Sequence, residues 1–586
     1  MNKNESKKFK ISYIFIMISI LFIILIGAFI HINSSDKRLP QLRISEDDKA
    51  IRGDILSRNN FTLSTSKKLY KATIDTRNIN PDKATLFVTL FSIFSNIPKE
   101  QIKEKLLSNY GFVTLSYKLD SKTARYIKQL TRKLYKMGVF VRYTDEESGN
   151  TFFHGLNVTE SGEYRVYPLK DTLTPVIGFV RKEEKNGYTH IVGKYGLESY
   201  YGDKLAGIQS TRIIGRRDIR NNIIFDNNSK VKNRVDGYDI VTSISIKLQK
   251  ELESILDRQR ERIQAKEIMA CVMDSKSGNI LAIASSRRVD PANKRKNGDH
   301  LTISAIRYLF EPGSVMKPIV LSLLLDERNV AIDDIVRTYN GRFKLGRKII
   351  TDEHKYEYLS VDNIIVHSSN IGMTVLSQKL DEIDYFQGLR NFGFSKRSNI
   401  DLSYELSGSI PNIHQLKNSV IKATASYGYG IKVNFFQLMQ AYNIFNNNGY
   451  KIQPSIGEFI KSKTSSQKIF HKKSIQVLKP DTAQTMHNVL IKTVNQGTGK
   501  GAITSGVEVG GKTGTAQISV RGRYSQTYNS SFFGFANDKN SRYTIGVTVI
   551  EPNPKGAMRF ASQSAVPVFK DIVDIMIKNN FLIPNR

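Results

Sequence analysis

The feature that most constrains this chain is an uninterrupted apolar run near its N-terminus. Residues 11–32 read ISYIFIMISILFIILIGAFIHI and contain no Asp, Glu, Lys or Arg. As a helix this run is about 33 Å long at roughly 1.5 Å per residue, enough to cross the hydrocarbon core of a bilayer. The positive-inside rule places the short tail 1–10 in the cytoplasm, because four lysines precede the run: Lys3, Lys7, Lys8 and Lys10. The sequence therefore predicts a transmembrane signal anchor at 11–32.

A cleaved signal peptide is the alternative interpretation of this run. Signal peptides usually have an apolar region of about 7–15 residues and a small-x-small cleavage site, and neither feature is found here. No second run of comparable length and apolarity follows. We therefore expect the chain after about Asn33 to lie outside the cytoplasm, where ATP, NAD and reduced thiols are not assured. Its chemistry then has to come from side chains or from metals.

Net charge and cysteine content exclude some classes of protein. Lys and Arg total 87 against 54 Asp and Glu, and the formal charge of +33 attracts nucleic acid, acidic lipid head groups or an anionic polymer. The basic residues are spread along the chain, and no zinc-finger spacing, basic zipper or Arg/Gly-rich aromatic block is present. Nucleic acid is therefore not an expected partner. The single cysteine, Cys271, excludes an intramolecular disulfide and any multi-cysteine metal site.

The length allows several domains, and the first region after the anchor reads as a support module. The 586 residues, 40% of them hydrophobic, are enough for about two to four domains. Residues 33–235 mix strands and helices without an obvious catalytic cluster. Within them, 51–60 reads as strand, turn, strand, Pro81 opens a helix over 82–94, and 121–137 is a second helix. We expect an irregular, elongated α+β module here.

A change of pattern near Gly237 begins a second region. It begins with a β-like stretch at 239–244, a helix at 245–263 and a hairpin of apolar strands at 268–284. A second hairpin at 530–550 and a closing helix at 564–579 lie near the C-terminus. Hairpins at both ends with helices between them predict one antiparallel sheet that is assembled from the two ends of the domain.

Three short motifs carry candidate chemistry, and the first is EPGSVMKP at 311–318. Pro-Gly ends the preceding structure and an apolar helix follows, so Ser314 is expected in the first helical turn. Residues three apart share a helix face, which lets the Lys317 amine reach the Ser314 hydroxyl. Apolar surroundings lower a lysine pKa, so Lys317 is suited to act as general base for a serine nucleophile. Ser-x-x-Lys alone is a weak signal, but only Ser314 has the Pro-Gly break and the apolar helix. The same spacing also occurs at 34–37, 64–67, 229–232, 419–422 and 465–468.

The second motif is Ser368-Ser369-Asn370. Ser368 offers a hydroxyl that can relay a proton, and Asn370 offers an amide donor and acceptor for a peptide substrate. A polar helix cap or loop would contain the same residue types. His367, immediately before the motif, has no acidic group identifiable from the sequence to orient it, and we interpret it as structural.

The third motif is VGGKTGTAQ at 509–517, a glycine-rich strand. Glycine weakens strands, so this run suggests close approach by another backbone, and an extended peptide can add beside it as an extra strand. Lys512 supplies a cation and Thr513 and Thr515 supply hydroxyls for a carboxylate, while the Thr515 N–H is a candidate oxyanion donor. Gly506 completes a Walker spacing with Lys512. The extracytoplasmic location and the lack of a helical pattern after Lys512 argue against a nucleotide site.

In this order the three motifs resemble the Ser-x-x-Lys, Ser-x-Asn and Lys-Thr-Gly motifs of the penicillin-recognising serine enzymes. The likeness extends along the chain: RGDILSRN at 52–59 and GLE at 196–198 are similar to the N-terminal module of class B penicillin-binding proteins, and YGYG at 427–430 resembles part of their transpeptidase domain. The resemblance implies an α+β fold with a transmembrane anchor, a pedestal or dimerisation-type module over 33–235, and a transpeptidase domain over 236–586. That domain would have an antiparallel sheet flanked and covered by helices.

Other enzyme classes fit less well. A β-lactamase needs neither a membrane anchor nor a long support module, and no convincing Glu-x-x-Leu-Asn hydrolytic segment is present. A glycosyltransferase domain, as in bifunctional class A proteins, has no room before residue 235, so glycan polymerisation is not expected. Within class B, EPGS at 311–314 and the Ser-x-Asn motif resemble the division-specific (septal) type. The elongation type more often has Ser-x-Asp at the second motif.

The resemblance implies a serine-type peptidoglycan D,D-transpeptidase that needs no metal or organic cofactor. Ser314 would attack the D-Ala–D-Ala carbonyl of a stem peptide, Lys317 would take its proton, and Ser368 would relay a proton to the leaving amine. Asn370 would orient the substrate amide. The implied catalytic residues are Ser314, Lys317, Ser368, Asn370 and Lys512, and the implied oxyanion and substrate-binding residues are Ser314, Thr513, Gly514 and Thr515.

Partners and location follow from the same resemblance. The implied partners are peptidoglycan stem peptides and lipid-linked nascent glycan, β-lactams as covalent inhibitors, a separate glycan-polymerising protein and other divisome membrane proteins. The implied location is the inner (cytoplasmic) membrane, crossed once, with the bulk of the chain periplasmic or otherwise extracytoplasmic. Two alternatives remain, an elongation-type class B transpeptidase and a non-catalytic divisome scaffold with the same fold. The scaffold would be expected to lack Ser314 or Lys317, and both are present.

Overall fold

The structure, a computed structural model, describes all residues except 1–2, 35–42, 146–148, 150, 186, 218–222, 225, 227–228, 293–301, 471–473, 521, 554–556 and 586. Contacts between residues divide the chain into two compact units. The first comprises Met1–Lys49 and Gln209–Arg234, and the second comprises Ala50–Ile208 and Val235–Arg586.

The first unit contains the apolar N-terminal helix and a small sheet. The helix runs Lys3–Ser34, and an 18-residue window of its segment Lys7–Ser34 has a mean hydropathy of 3.0 with none of it buried. It is long and apolar enough to cross a membrane, as predicted for 11–32. The antiparallel sheet of this unit has the strand Thr211–Arg217 paired with three others, Arg43–Asp48, Ile223–Ile224 and Lys230–Lys232.

The N-terminal part of the second unit is α+β, as the sequence predicts. The strand Ile55–Leu56 leads through a turn, in which Asn60 has φ of +57°, into the long strand Thr62–Asp75. Pro81 opens a short 3₁₀ segment, so the predicted helix 82–94 begins two residues later, at Ala84. The three helices of this part are Ala84–Ser95, Lys99–Leu107 and Ser121–Lys136. The last begins after Asp120, whose side chain accepts the Thr123 N–H, and it buries an apolar face of Ala124, Ile127, Leu130 and Leu134.

A nine-stranded sheet connects this part to the rest of the second unit. Its strands lie in the order Ser466–Lys468, Gly457–Lys461, Asp239–Thr242, Ile55–Leu56, Thr62–Asp75, Asn157–Val166, Tyr188–Gly193 and Val180–Lys185, with Phe112–Leu119 paired to Thr62–Asp75. Because Asp239–Thr242 pairs with Ile55–Leu56 on one side and Gly457–Lys461 on the other, one sheet holds strands from both predicted regions. The domain boundary at 235–236 stays a prediction.

A buried ionic cluster fixes the two upstream segments that the resemblance singled out. Glu198 has no exposed surface, and its carboxylate accepts hydrogen bonds from Arg52 Nε at 2.8 Å, Arg165 Nε at 2.6 Å and Ser64 Oγ at 2.8 Å. Arg165 also donates to the Gly53 carbonyl at 2.7 Å. Burial raises the pKa of Glu198, but the two guanidinium groups and the Ser64 hydroxyl together lower it by more, so the carboxyl stays ionised. Segments 52–59 and 196–198 therefore meet in a charge-paired core.

The predicted antiparallel sheet from both ends of the second region is confirmed. Its strands lie in the order Ile280–Ser285, Glu267–Asp274, Arg542–Ile550, Arg523–Asn537 and Glu508–Val520. Cys271 on an early strand lies directly opposite Gly546 on a late one. The helices Ile246–Ile263 and Ala565–Lys578 pack on one face through a shared apolar core.

The opposite face of this sheet is covered by a helical half that carries the first two motifs. Its helices are Ser304–Arg307, Lys317–Asp326, Val361–Val366, Asn370–Ser377, Glu382–Phe392, Ile413–Leu416, Ser419–Ser426, Phe435–Asn446 and Pro480–Gln496. Two small hairpins accompany them, Ile335–Arg337 with Tyr358–Ser360 and Arg342–Leu345 with Lys348–Thr351. The helix Lys317–Asp326 is buried along most of its length, because its residues are apolar on every side.

Candidate active site

Ser314 lies in a 3₁₀ turn, Gly313–Met316, that leads into the buried helix Lys317–Asp326. Gly313 has φ of +61°, a backbone conformation that residues with a side chain rarely adopt. A Cβ on Gly313 would lie 3.2 Å from the Thr515 carbonyl oxygen, so the turn packs directly on the glycine-rich strand. The predicted place of Ser314 at the start of the helix is confirmed, with 3₁₀ geometry in its turn.

Lys317 is fully buried, and its amine binds Ser368. The Lys317 Nζ donates to the Ser368 carbonyl oxygen at 2.5 Å and to the Ser368 Oγ at 3.1 Å. The Lys317 backbone N–H donates to the Ser314 carbonyl, which keeps both residues on one turn. In the part of the chain that the structure describes, the Ser314 hydroxyl makes no hydrogen bond, so the expected bond between the Lys317 amine and that hydroxyl is not formed here. A buried amine needs acceptors, and Ser368 supplies two.

Lys512 is the second fully buried lysine of the site. Its Nζ donates to the Ser368 Oγ at 3.0 Å and to the Thr513 carbonyl oxygen at 3.2 Å. The Ser368 hydroxyl therefore joins two amines, Lys317 from the helical half and Lys512 from the sheet. Ser368 has φ of +58°, a strained left-handed conformation of the kind that collects at functional sites.

Burial sets the charge of both amines. It lowers the pKa of Lys317 to about 7, and the carboxylates of Asp352 and Glu353 oppose this shift only in part. Burial also lowers the pKa of Lys512 well below its usual value, and the positive charge of Lys317 lowers it further. Among the described residues neither amine forms an ion pair with a carboxylate. A neutral amine accepts a proton, so burial favours the form that a general base needs.

Asp352, which was not among the residues predicted from the sequence, holds the second motif in place. Its Oδ1 accepts the Asn370 N–H at 2.6 Å and the Ile371 N–H at 3.0 Å, and its Oδ2 accepts the Ser369 hydroxyl at 2.5 Å. The first N–H groups of a helix have no acceptor within the helix itself, and at the start of Asn370–Ser377 Asp352 supplies one. No local spacing signals this bond, because Asp352 follows a strand of a separate hairpin.

At this motif the Asn370 side chain has a free acceptor for a substrate within the described residues, whereas the His367 ring is used for packing. The Asn370 Nδ2 donates to the Thr351 carbonyl at 3.1 Å, and its amide oxygen makes no hydrogen bond to a described residue, which leaves an acceptor for a substrate amide. The His367 ring packs against Tyr356, with ring centroids 4.8 Å apart, and burial lowers the pKa of the imidazole. No hydrogen bond joins the His367 side chain to the site within the described residues, which agrees with its structural interpretation.

The third motif lies on Glu508–Val520, the strand at one edge of the five-stranded sheet. An edge strand presents a row of unpaired backbone groups, which is what an extended peptide requires. At Gly510 the space for a side chain is filled by an aromatic ring and not by another backbone, since a Cβ there would lie 2.2 Å from the Phe535 Cζ. The expected close approach of another backbone is found at Gly514, where a Cβ would lie 2.9 Å from the Pro312 carbonyl oxygen.

The two threonines of this motif are held by neighbouring loops. The Thr513 Oγ1 lies 2.6 Å from the Thr498 Oγ1, and the Thr515 Oγ1 accepts the Ala561 N–H at 3.2 Å. Thr498 was also absent from the sequence prediction. It stands between two glycines after the helix Pro480–Gln496, a pattern that indicates a loop but no chemistry. The structure thus adds Asp352 and Thr498 to the side chains that shape the site.

The geometry brings the predicted residues together from three elements. The serine turn and the helix after it supply a hydroxyl and a buried amine, those of Ser314 and Lys317. The second motif supplies a bridging hydroxyl and an amide, and the edge strand supplies a second buried amine and two hydroxyls. Such a set can transfer an acyl group through a serine ester, with two buried amines and a bridging hydroxyl as candidate proton carriers next to an unpaired strand edge.

Comparison with known proteins agrees with this chemistry. The family description "Penicillin binding protein transpeptidase domain" matches residues 268–574, more than half of the chain, and "Penicillin-binding Protein dimerisation domain" matches residues 47–242. The chain is 27% identical over 582 residues to the "Probable peptidoglycan D,D-transpeptidase PenA" of Neisseria gonorrhoeae, which covers 96% of this chain and 91% of that protein. It is 25% identical over 547 residues to the "Peptidoglycan D,D-transpeptidase FtsI" of Buchnera aphidicola, which covers 91% of this chain and 88% of that protein.

A solved structure shows the same fold. Penicillin Binding Protein 2X from Streptococcus thermophilus superimposes with a TM-score of 0.74 at 22% identity, over 91% of this chain and 80% of that chain. The two family matches follow each other in the order that the sequence motifs imply. The chain belongs to the class B penicillin-binding proteins, as a serine-type peptidoglycan D,D-transpeptidase with a dimerisation domain followed by a transpeptidase domain.

Proposed function

We propose that this transpeptidase cross-links septal peptidoglycan through an acyl-enzyme on Ser314. The observation that carries the residue roles is the convergence of two buried amines, those of Lys317 and Lys512, on the Ser368 hydroxyl. The Lys317 amine, with a pKa of about 7, can accept and return a proton near neutral pH, and burial lowers the pKa of Lys512 as well. The packing of the serine turn on the edge strand that carries Lys512 supports Ser314 as the nucleophile that this relay serves.

The first half-reaction forms the acyl-enzyme. The Ser314 Oγ attacks the carbonyl carbon of the D-Ala–D-Ala bond while the Lys317 amine accepts the hydroxyl proton. The carbonyl oxygen becomes an oxyanion that the N–H groups of Ser314 and Thr515 stabilise. When the C–N bond breaks, a proton passes from the Lys317 ammonium through the Ser368 hydroxyl to the leaving D-Ala amine, so that free D-Ala departs.

The substrate lies along the edge strand Glu508–Val520 during this step. Lys512 and the hydroxyls of Thr513 and Thr515 bind the terminal carboxylate, Gly514 allows the close approach, and Asn370 orients the substrate amide. In the second half-reaction an amine of a neighbouring stem peptide attacks the ester and releases Ser314. Its proton returns through Lys317, and the new amide bond is the cross-link.

Covalent labelling with a fluorescent penicillin tests the assignment of the nucleophile. We expect the unmutated chain to be labelled, Ser314→Ala to be unlabelled, and the thermal midpoint of Ser314→Ala to stay nearly unchanged, because the hydroxyl makes no hydrogen bond to a described residue. Ser419→Ala is a matched control, since Ser419 is exposed and begins another Ser-x-x-Lys stretch at the start of the helix Ser419–Ser426. A labelled Ser314→Ala chain would refute the assignment, and an unlabelled wild type would favour the scaffold alternative.

The division role rests on the Ser-x-Asn motif, on EPGS at 311–314 and on the likeness to FtsI. We further propose that a separate membrane protein polymerises the glycan strands, that β-lactams acylate Ser314, and that other divisome membrane proteins are partners. A fluorescent fusion should collect at the division site, and depletion of the protein should block septum closure. Localisation along the side wall with loss of cell shape would instead identify the elongation type.

A further inference from the structure

A small basic hairpin stands beside the second motif and has no role in the mechanism above. Its strands are Arg342–Leu345 and Lys348–Thr351, and Gly346, with φ of +57°, makes the tight turn between them. The register pairs Arg342 with Thr351 and Lys344 with Ile349. We name this segment, 342–351, the basic hairpin.

The alternation of the two strands gives the basic hairpin an apolar side and a charged side. Phe343 and Ile350 lie on one face, and Ile350 is only 4% exposed. Arg342, Lys344 and the 49% exposed Ile349 share the other face. The buried Ile350 therefore fixes the ribbon against the domain, and the charged side faces solvent. Lys348 pairs with Leu345 on the apolar side, but it lies next to the turn and is exposed as well.

The basic hairpin is joined directly to the catalytic motif. The Thr351 carbonyl accepts the Asn370 side-chain amide at 3.1 Å, and the next residue, Asp352, caps the helix that Asn370 begins. Residues directly opposite on an antiparallel pair have Cβ atoms about 4.5–5.5 Å apart, so Arg342 stands next to Thr351. The charged face thus runs from the turn of the ribbon to the edge of the reaction centre.

The basic hairpin carries four cations. Its four basic side chains are exposed, and none of them forms an ion pair with a residue that the structure describes: Arg342, Lys344, Arg347 and Lys348. Of the two carboxylates that follow, Asp352 is occupied by the helix cap and Glu353 is exposed. Such a surface attracts a multiply charged anion.

We propose that the basic hairpin binds stem-peptide carboxylates of the uncross-linked glycan strand on which the enzyme works, outside the reaction centre. This inference rests on the proposed function. Every uncross-linked stem peptide ends in a carboxylate. A glycan strand that bears many such peptides is therefore a polyanion whose charges recur along its length. A single exposed ion pair is weak, but several cations on a rigid ribbon can hold successive carboxylates of one polymer. The hairpin then keeps the strand near Ser314 between cross-linking events.

The test measures strand binding with the reaction centre occupied. The full chain is first acylated with a small β-lactam, which also counts the folded, reactive fraction of each preparation. Binding of soluble uncross-linked glycan strands with pentapeptide stems is then measured for wild type and for the triple variant Lys344→Gln, Arg347→Gln, Lys348→Gln. The matched control removes one arginine and two lysines from the exposed side of the helix Ser121–Lys136: Arg132→Gln, Lys133→Gln, Lys136→Gln.

We expect the hairpin variant to bind strands about tenfold more weakly, with a shallower dependence on salt, and the control variant to match wild type. Strands whose carboxylates have been converted to amides should bind wild type and the hairpin variant equally. Equal losses in the two variants, no loss in either, or a wild-type advantage that survives amidation would overturn the proposal. Failure of the initial acylation would refute the proposed function instead, so the two failures are distinguishable.

Discussion

Among single residues, Lys317 links the chemistry most directly to pH. Its folded-state pKa is about 7 because it is buried, and in the proposed mechanism its amine must be neutral to accept the Ser314 proton. We expect the rate constant for acylation by a β-lactam to fall about tenfold per pH unit below roughly pH 6.5 and to level off above roughly pH 8, because protonation removes the base. Stopped-flow acylation between pH 5 and 9, with a β-lactam that does not titrate in this range, measures the profile. A flat profile would contradict the role of Lys317 as base.

Asp352 offers a second test at the scale of one residue. Asp352→Ala removes the acceptor for two N–H groups and one hydroxyl at the start of the Ser-x-Asn helix. We expect about 1–2 kcal/mol loss of stability, as for other helix caps, and at least roughly tenfold slower acylation because Ser368 and Asn370 lose their fixed position. Asp352→Asn keeps one acceptor oxygen and should lose less.

A matched control separates positioning from stability. Asp381 caps the helix Glu382–Phe392 by accepting the Ile383 N–H at 2.8 Å, and among the described residues its side chain forms no hydrogen bond or ion pair with Ser314, Lys317, Ser368, Asn370 or Lys512. Asp381→Ala should lower stability by a similar amount and leave acylation unchanged. Equal slowing of acylation in both variants would mean that Asp352 acts only through global stability.

The residues of the site differ in how far the sequence reveals them. Ser314, Lys317 and Lys512 stand in short motifs with their own context, a Pro-Gly break, an apolar helix or a glycine-rich strand. Asp352 and Thr498 stand in no such pattern, because their bonds join elements that only tertiary packing brings together. The same packing directs the Lys317 amine to Ser368, although helical spacing alone points it toward Ser314.

Among the elements, the charge-paired core around Glu198 stabilises the contact between segments 52–59 and 196–198. Glu198→Gln would leave Arg52 and Arg165 buried without their common carboxylate, and we expect a loss of about 3–5 kcal/mol in the free energy of unfolding. Guanidinium unfolding at pH 7 measures it. Glu183→Gln is the control, because the ion pair of Glu183 with Arg181 is exposed and worth at most about 1 kcal/mol.

The pH dependence of this core has a definite sign. The folded-state pKa of Glu198 is lowered, so its contribution is fully present above the unfolded-state pKa of a glutamate and is lost as pH falls through the folded-state value. The stability difference between wild type and Glu198→Gln should therefore shrink in acid. A difference that stays constant down to pH 3 would show that shape and not charge holds the segments together.

Local sequence patterns predicted where the long helices and strands lie better than they predicted which strands pair with each other. The helix predicted at 121–137 forms as Ser121–Lys136, and the hairpin predicted at 268–284 forms from Glu267–Asp274 and Ile280–Ser285. The strand Gly457–Lys461, which joins the two regions in one sheet, was not predicted. Periodicity reports which face of an element is apolar, and it contains no information on which distant strand completes a ladder.

For the whole molecule, the apolar helix predicts a single crossing with the N-terminus inside. A protease added outside the inner membrane should remove nearly everything after Asn33 and leave the lysine-rich tail protected, because positive residues before the run favour the cytoplasmic side. Immunoblots with tags at each end measure the protected fragment. A released protein that begins near Ser34 would instead establish the cleaved signal peptide.

The five-stranded sheet, built from both ends of the domain, also constrains how the protein is made. The strand Glu267–Asp274 has its neighbours in Ile280–Ser285 and Arg542–Ile550, and Cys271 cannot meet Gly546 until almost the whole chain has been synthesised. Pairing between such distant segments is slow, since long loops must close before the contacts form. One edge of the early hairpin therefore stays unpaired while the rest of the chain is synthesised, a state prone to aggregation. Penicillin binding can begin only after the last strands arrive, so a chain cut short by tens of residues would be a client for chaperones and proteases rather than a weaker enzyme.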